Sequence, residues 1–162
     1  MMLRTAGIDD GDRIARIQLA AWRDTYGQAN PDMVASFELD RTAENWARAA
    51  VDPTHRLRIA EHDGTAVGYA FSGAAEGDVA GVGELHAVYL LQSAHGWGIG
   101  RLLVEDAIAA LAAAGCTECV LWVAEFNGHA RGFYEHLGFR ADGGQDVWRG
   151  LHIVRYRRLI EI

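Results

Sequence analysis

Lysine is missing from this sequence of 162 residues, and all 15 of its basic residues are arginine. Functions that need a lysine side chain, such as Schiff-base catalysis or a lysine grip on phosphate, are therefore excluded. Acidic residues outnumber basic ones by 22 to 15, which gives a formal net charge of −7. This balance argues against a nucleic-acid partner, which needs clustered basic side chains, and mildly favours a cationic substrate.

Long hydrophobic runs are also absent. No segment approaches the roughly 18 consecutive apolar residues that a membrane span requires, so no membrane partner is expected. The first residues, Met1 to Thr5, carry a lone arginine and no apolar stretch typical of a signal peptide. We therefore expect a cytoplasmic protein. Its length fits a single domain over residues 1–162, and its composition of 50% hydrophobic and 23% charged residues is that of a globular protein.

Cysteine is scarce, with only Cys116 and Cys119 in a Cys-x-x-Cys arrangement. The spacing suits a redox pair or half of a zinc site. There is no second cysteine pair, and the apolar run 120–123 that follows is typical of a buried strand. We interpret the two cysteines as reduced structural thiols and expect no metal.

The N-terminal half predicts two helices and a hairpin. An acidic cluster at residues 9–12 suits the start of a helix that ends near Tyr26. A second helix is expected from Pro31 to Ala50, with an irregularity near Asp40. Short alternating runs then flank Asp63-Gly64, a strong hairpin signal, and residues 72–83 are expected to form a loop.

The C-terminal half alternates strands with helices. Strands are predicted at 84–91, 120–123 and 152–159, with a weak strand between Gly143-Gly144 and Arg149-Gly150. Helices are predicted at 102–114 and 127–137, closed by glycines. The pattern favours an α/β or mixed α+β fold, with a central sheet of six or seven strands flanked by about four helices.

The most informative segment is the glycine-rich turn from His95 to Arg101, which precedes a predicted helix. Free backbone N–H groups at such a helix start bind phosphate without any basic side chain. A P-loop is excluded because Arg101-Leu102 stands where Lys-Ser/Thr is needed. The dinucleotide fingerprint fails because it requires glycine at position 101. A pyrophosphate cradle of another kind, or simply a tight glycine turn, remains.

Two motifs resemble those of the GNAT superfamily of N-acetyltransferases. The segment from Leu85 to Leu103 is similar to the acyl-CoA-binding motif Gln/Arg-x-x-Gly-x-Gly/Ala. The segment 127–139 is similar to Asn-x-x-Ala-x-x-Phe-Tyr-x-x-x-Gly-Phe, and the opening helix around Ala21 to Tyr26 resembles small bacterial members. The resemblance implies a GNAT-like fold, acetyl-CoA as the cofactor, direct attack by an amine in a ternary complex, and a homodimer.

The resemblance also implies a set of cofactor-binding residues. Main-chain groups on one strand would pair with the pantetheine arm, the glycine turn would hold the pyrophosphate, and two residues of the next helix would contact the cofactor. In that order these residues are Val88, Tyr89 and Leu90; His95, Gly96, Trp97, Gly98, Ile99, Gly100 and Arg101; and Asn127 and Tyr134. His95 departs from the usual Gln or Arg, which implies weaker or pH-dependent binding.

An amine acceptor is protonated at neutral pH, so freeing its lone pair at pH 7 costs roughly 4.6 kcal/mol. The resemblance gives Tyr134 the role of protonating the leaving thiolate; otherwise Tyr134 is a core aromatic. It gives Glu84 the role of general base, with His86 as the alternative, or else Glu84 is a solvated carboxylate. On a regular strand Glu84 and His86 would share a face with Val88.

The acceptor pocket is the least determined part. Trp22, Tyr26, Phe126, Trp148 and the segment 142–150 are candidate walls, although each aromatic residue is equally at home in a core. A small-molecule primary amine is the expected acceptor. The alternatives are a protein N-terminus as acceptor, or a non-catalytic acyl-CoA-binding or sensing module.

Overall fold

The structure, a computed structural model, describes residues 1–77 and 79–161 and is built around one mixed sheet of seven strands. The strands are β1 (Met2–Thr5), β2 (His55–His62), β3 (Thr65–Ala74), β4 (Val82–Leu90), β5 (Glu118–Ala124), β6 (Arg140–Trp148) and β7 (Leu151–Leu159). Their order in the sheet is β1-β2-β3-β4-β5-β7-β6. The β4–β5 pair is parallel and the other pairs are antiparallel. The predicted mixed sheet is confirmed.

Five α-helices pack on the two faces of the sheet. They are α1 (Gly11–Tyr26), α2 (Pro31–Ala35), α3 (Leu39–Ala50), α4 (Ile99–Ala113) and α5 (Gly128–His136). Helices α1 and α3 cover one face, where Ile14 packs with Ile59 and Tyr69. Helix α4 covers the other face, and residues of α5 pack beside it. Within the described part of the chain, no helix is long and apolar enough to cross a bilayer.

The helix predicted from Pro31 to Ala50, with an irregularity near Asp40, is in fact two helices, α2 and α3, which raises the number of helices from about four to five. The hydroxyl of Ser36 donates to the carbonyl of Met33 at 2.7 Å and competes with helix continuation. Phe37 then turns inward, and its ring packs edge-on against Trp22 at 5.2 Å. The contact with Trp22 favours the break, and it comes from tertiary packing that local sequence does not show.

Two strand boundaries also differ from prediction, because small residues take part in the sheet. Strand β3 continues to Ala74 and β4 starts at Val82, so the loop expected at 72–83 is shorter. Gly73 pairs with Glu84, which is therefore the third residue of β4 and not its first. Gly143 has φ of +91° and lies at a register shift inside β6, so the glycine pair forms a bulge and not a strand boundary.

Strand β4 carries a bulge that reverses part of its side-chain alternation. Phe71 pairs with Ala87 and the next residue of β3 pairs with Leu85, so His86 is the extra residue. As a result Leu85 and Val88 both pack in the α4 core, whereas Ala87 packs on the α1–α3 side. The prediction that Val88 shares a face with Glu84 was wrong, because regular alternation does not survive the bulge.

Cys116 and Cys119 are free thiols. Cys119 is fully buried in the sheet, and this burial raises the pKa of its thiol to about 12. A thiol with such a pKa stays neutral and is a poor nucleophile or metal ligand. The geometry agrees with the interpretation of the pair as structural thiols.

Candidate active site

Strands β4 and β5 separate after a short stretch of pairing. Their ladder joins Val82 to Glu118 and ends where Glu84 faces Val120. Beyond Glu84, β4 continues to pair with β3 as far as Leu90, and β5 continues beside β7 as far as Ala124. A gap therefore opens between the two central strands, and the β5-facing edge of β4 has no strand partner there within the described residues.

The glycine-rich turn lies at the wide end of this gap and starts α4. Gly98 has φ of +79° and forms the N-cap of the helix. The hydrogen bonds of the helix begin at Leu102, whose N–H donates to the Gly98 carbonyl at 3.1 Å. The N–H groups of Ile99, Gly100 and Arg101 donate to no backbone carbonyl of the described chain. These donors at a positive helix end form an anion cradle.

The space in front of the cradle is open. A Cβ added at Gly96 or Gly98 would meet no atom within 4 Å, and both residues have positive φ values. Behind it the helix packs tightly, since a Cβ at Gly100 would lie 3.0 Å from Phe133. Glycine thus serves three purposes here: it permits the left-handed turn, leaves room for an anion, and brings α4 close to α5.

Together the strand gap, the cradle and α5 enclose a cleft of about 710 Å³. Ten of the predicted cofactor-binding residues line it: Val88, Leu90, His95, Gly96, Gly98, Ile99, Gly100, Arg101, Asn127 and Tyr134. The other two side chains point elsewhere. Trp97 packs against His62 at 4.7 Å, and the Tyr89 hydroxyl accepts a hydrogen bond from Trp22 at 3.2 Å. The cleft has the size and donor set to hold a pyrophosphate and an extended arm.

Helix α5 positions Asn127 and Tyr134. The side-chain oxygen of Asn127 accepts from the Ala130 N–H at 3.1 Å and caps the helix. The ring of Tyr134 packs against Phe133 and Phe139, at 5.1 and 5.9 Å. Burial raises the pKa of Tyr134, and the nearby Tyr89 raises it further. Its hydroxyl therefore keeps its proton at neutral pH and can donate into the cleft.

Glu84 lies on the α1–α3 side of β4, outside the cofactor cleft, and is only 8% exposed. One carboxylate oxygen is 3.0 Å from His86 Nδ1, and the other accepts from the Glu76 N–H at 3.3 Å. Burial opposes ionisation, but the hydrogen bonds and the electrostatic interaction with His86 outweigh it and leave the pKa of Glu84 below its usual value. Glu84 is therefore ionised at neutral pH. His86 Nε2 is buried without a hydrogen-bond partner in the described chain.

The four aromatic residues predicted for the acceptor site come together on this second side of the sheet. Trp22 packs against Trp148 at 5.6 Å and against Tyr26 at 6.2 Å, and Tyr26 packs against Phe126 at 6.1 Å. Trp22 and Tyr26 are buried, whereas Phe126 is half exposed. The inner pair therefore contributes to the core, and the outer pair forms the surface.

A second cleft, of about 590 Å³, lies beside this cluster between α1, α3 and β3. Its lining includes Trp22, Phe37, Trp46, Phe71 and Arg149. The Phe71 ring lies 5.5 Å from the His86 ring, so the His86 side chain lies between this part of the cleft and Glu84. Two clefts thus approach β4 from opposite faces of the sheet.

The profile of the Acetyltransferase (GNAT) family matches residues 13–139. The chain belongs to the GNAT acetyltransferase family. A relative of this acetyltransferase is an uncharacterized N-acetyltransferase of Mycobacterium tuberculosis, 33% identical over 123 residues, or 75% of this chain and 77% of the relative. Membership in the family makes the protein an N-acetyltransferase.

Solved structures share the fold of this GNAT acetyltransferase. The PaiA N-acetyltransferase of Thermoplasma acidophilum, solved with coenzyme A, is 21% identical with a TM-score of 0.80, over 95% of this chain and 96% of that one. The ribosomal-protein-alanine N-acetyltransferase of Brucella melitensis is 23% identical with a TM-score of 0.78, over 98% and 99% of the two chains. These likenesses confirm the predicted GNAT-like fold.

Sequence reasoning missed several residues that line the clefts of this acetyltransferase. His129 lines the cofactor cleft, and its ring stacks on His95 at 5.9 Å. Phe37 and Arg149 line the second cleft. Arg149 lies within the segment 142–150 that was predicted as a candidate wall, beside the predicted wall residue Trp148, but the sequence did not single it out.

Proposed function

We propose that the protein transfers an acetyl group from acetyl-CoA to the primary amine of a small molecule, by direct attack in a ternary complex. The observation that carries the proposal is the gap between β4 and β5, which ends at a cradle of free N–H groups. An amine in the second cleft would reach acetyl-CoA in that gap from the opposite face of β4. The GNAT family assignment supports the reaction class.

Donor binding needs no lysine. The N–H groups of Ile99, Gly100 and Arg101 would bind the pyrophosphate at the positive end of α4. The unpaired edge of β4 from Val88 to Leu90 would bond the amide groups of the pantetheine arm, as an added strand does. These contacts would orient the thioester in the gap and exclude water from it.

The amine must lose a proton before or during attack. Glu84 is ionised, so it can accept that proton. Deprotonation of an unperturbed amine at pH 7 costs roughly 4.6 kcal/mol. Its burial means that one water or the His86 ring would carry the proton to it. Glu84 is therefore the proposed base, and His86 holds its carboxylate in place.

Tyr134 is the proposed donor to the departing thiolate. Its raised pKa makes complete transfer to a thiolate, whose reference pKa is about 8.5, unfavourable. A strong hydrogen bond to the developing negative charge is favourable, and in a dry cleft it lowers the barrier. Tyr134 thus stabilises the leaving group by sharing its proton.

Direct attack is favoured over a covalent acyl-enzyme because no cysteine lines the cleft and Cys119 is a buried, neutral thiol. The test is thiol release from acetyl-CoA over a panel of primary amines, with the acetylated product identified by mass spectrometry. Release that depends on the amine, with initial-rate lines that intersect when both substrates are varied, is expected. Parallel lines or trapped acetyl-protein would contradict direct attack, and failure to acetylate any amine would contradict the function.

A protein N-terminus is the second candidate acceptor, supported by the fold likeness to the Brucella melitensis enzyme. Peptides with free N-termini in the same assay separate the two candidates, because a small-molecule enzyme would acetylate them far more slowly. An acyl-CoA sensor would instead bind acetyl-CoA without transfer. The expected homodimer and cytoplasmic location stay predictions, which sedimentation and cell fractionation test.

A further inference from the structure

Arg149 occupies the tip of the β6–β7 hairpin, above the second cleft. It and Gly150 have φ of +50° and +78°, the two positive values of a tight two-residue hairpin turn. The side chain of Asn30 donates to the Arg149 carbonyl at 2.9 Å. Because Asn30 also caps α2, this bond fixes the hairpin tip to the segment that joins α1 and α2.

The Arg149 guanidinium is held by aromatic rings and not by a carboxylate. It lies 5.1 Å from the centre of the Trp22 ring and 5.6 Å from that of Trp148. None of the ion pairs within residues 1–77 and 79–161 includes Arg149. The rings attract the guanidinium by cation–π contact, and its N–H donors have no anionic partner within the described residues.

The charges along the second cleft differ in sign from the molecule as a whole. The chain has a net charge of −7, yet two arginines and one glutamate line this cleft. Arg41 and Glu38 face each other at 4.0 Å and offset one another. Arg149 is then the uncompensated charge, and it favours an anionic group in a cleft otherwise walled by aromatic rings.

The lining of the cleft includes both Arg149 and Phe71. The Phe71 ring packs on His86, which is bonded to Glu84, so one side chain lies between the cleft and the proposed base. Trp22, whose ring contacts the Arg149 guanidinium, donates a hydrogen bond to the Tyr89 hydroxyl at 3.2 Å. One side chain therefore connects the guanidinium to β4, whose edge lines the gap.

We propose that Arg149 binds a carboxylate of the acceptor, so that the acceptor is an amino acid or another amine that carries a carboxylate. A planar guanidinium matches a carboxylate with two parallel hydrogen bonds. The inference rests on the proposed function and narrows its acceptor class. It also replaces the expectation of a cationic acceptor drawn from net charge alone, since a local unpaired arginine acts at shorter range.

The test compares acceptor pairs that differ only in the carboxylate, such as phenylalanine with phenethylamine and γ-aminobutyrate with propylamine. We expect kcat/KM to be about 10- to 100-fold higher for a carboxylate-bearing member in the wild type. In Arg149→Gln, this preference should fall at least about tenfold, while Arg149→Lys should retain part of it. Arg23→Gln, an exposed arginine of α1 outside both clefts, is the matched control and should keep the preference.

The outcomes separate this inference from the function on which it rests. Acetylation of amines with no preference for the carboxylate, or a preference that Arg149→Gln leaves unchanged, would overturn the inference and keep the function. Faster acetylation of peptide N-termini than of any carboxylate-bearing amine would also overturn it. Failure to acetylate any acceptor, although acetyl-CoA binds, would overturn both.

Discussion

Tyr134 keeps its proton at neutral pH because burial raises its pKa, and Glu84 loses its proton because its hydrogen bonds outweigh its burial. The two residues therefore have the protonation states that a donor and a base require. Their positions differ as well, since Tyr134 lines the donor cleft and Glu84 lies on the other face of β4. The bulge at His86 places Glu84 and Val88, which lines the cofactor cleft, on opposite faces of β4.

Tyr134→Phe tests whether Tyr134 donates a hydrogen bond to the departing thiolate. We expect kcat to fall about 100-fold, since loss of one hydrogen-bond donor to a developing negative charge costs at least about that much, with the Kd for acetyl-CoA nearly unchanged. Steady-state kinetics and calorimetry measure the two quantities. Tyr69→Phe is the matched control, because Tyr69 is fully buried and its hydroxyl has no partner in the described chain. Equal rates in the wild type and Tyr134→Phe would remove the assignment.

Glu84→Gln tests the base through rate and stability together. We expect kcat/KM to fall about 100-fold or more. Because the folded-state pKa of Glu84 is lowered, its charge stabilises the fold above the unfolded pKa of about 4.3, and this contribution is lost as pH falls. The Tm difference between wild type and variant should therefore be full at pH 7 and shrink below about pH 4. A difference that is constant with pH would contradict the ionised state.

At the scale of elements, the proposed binding of acetyl-CoA depends on the start of α4. Gly98→Ala forces alanine into a left-handed conformation, which costs about 1 kcal/mol, and places a methyl group in the cradle. We expect acetyl-CoA binding to weaken at least tenfold, measured by calorimetry. Gly115→Ala, just past the other end of α4, has the same strain, with φ of +93°, and lies outside the cofactor cleft. Equal loss of binding in both variants would contradict the cradle.

The sequence was most informative where one element determined the geometry alone. The glycine turn before α4 and the helix from position 127, closed by a glycine, were predicted because their residue types meet a local backbone need. The break at Ser36 to Glu38 was predicted only as an irregularity near Asp40, because Phe37 turns inward for a contact with Trp22, which only the folded chain supplies. The bulge at His86 was missed for a similar reason, since register is a property of two strands.

The candidate site divides in the same way. The residues that line the cofactor cleft belong to two continuous motifs, so the sequence was sufficient to name most of them. The second cleft is formed by α1, α3, β3 and the β6–β7 turn, which are far apart in the chain. Arg149 becomes informative only when Trp22 and Trp148 are seen to hold it, and no local pattern shows that arrangement.

Over the whole molecule, ion pairs formed by buried carboxylates predict a loss of stability in acid. Asp10 accepts from Arg4 of β1 at 2.7 Å and from Arg13 of α1 at 2.5 Å, and the Gly7 N–H donates to it as well. The bond from Arg4, with those from Gly7 and Arg13, holds the pKa of Asp10 far below its usual value. Its contribution is present above the unfolded pKa of about 3.9 and is lost as pH falls below that value.

Asp10→Asn should therefore destabilise the molecule by about 2 kcal/mol at pH 7, or roughly 4–8 °C in Tm, and by progressively less in acid. Thermal unfolding followed by circular dichroism at several pH values measures this. Asp12→Asn is the control, because the pair between Asp12 and Arg16 is solvent-exposed on α1. Similar small effects for both variants would contradict a special role for Asp10.

The proposed function places acetyl-CoA in the cofactor cleft on the α4–α5 face and the acceptor in the second cleft on the α1–α3 face, with β4 between them. A crystal structure of the protein with coenzyme A tests this arrangement most directly. We predict the pyrophosphate on the N–H groups of residues 99–101, the pantetheine arm between β4 and β5, and the sulfur within hydrogen-bond distance of the Tyr134 hydroxyl. Coenzyme A bound elsewhere, or a sulfur that points away from Tyr134, would contradict the account.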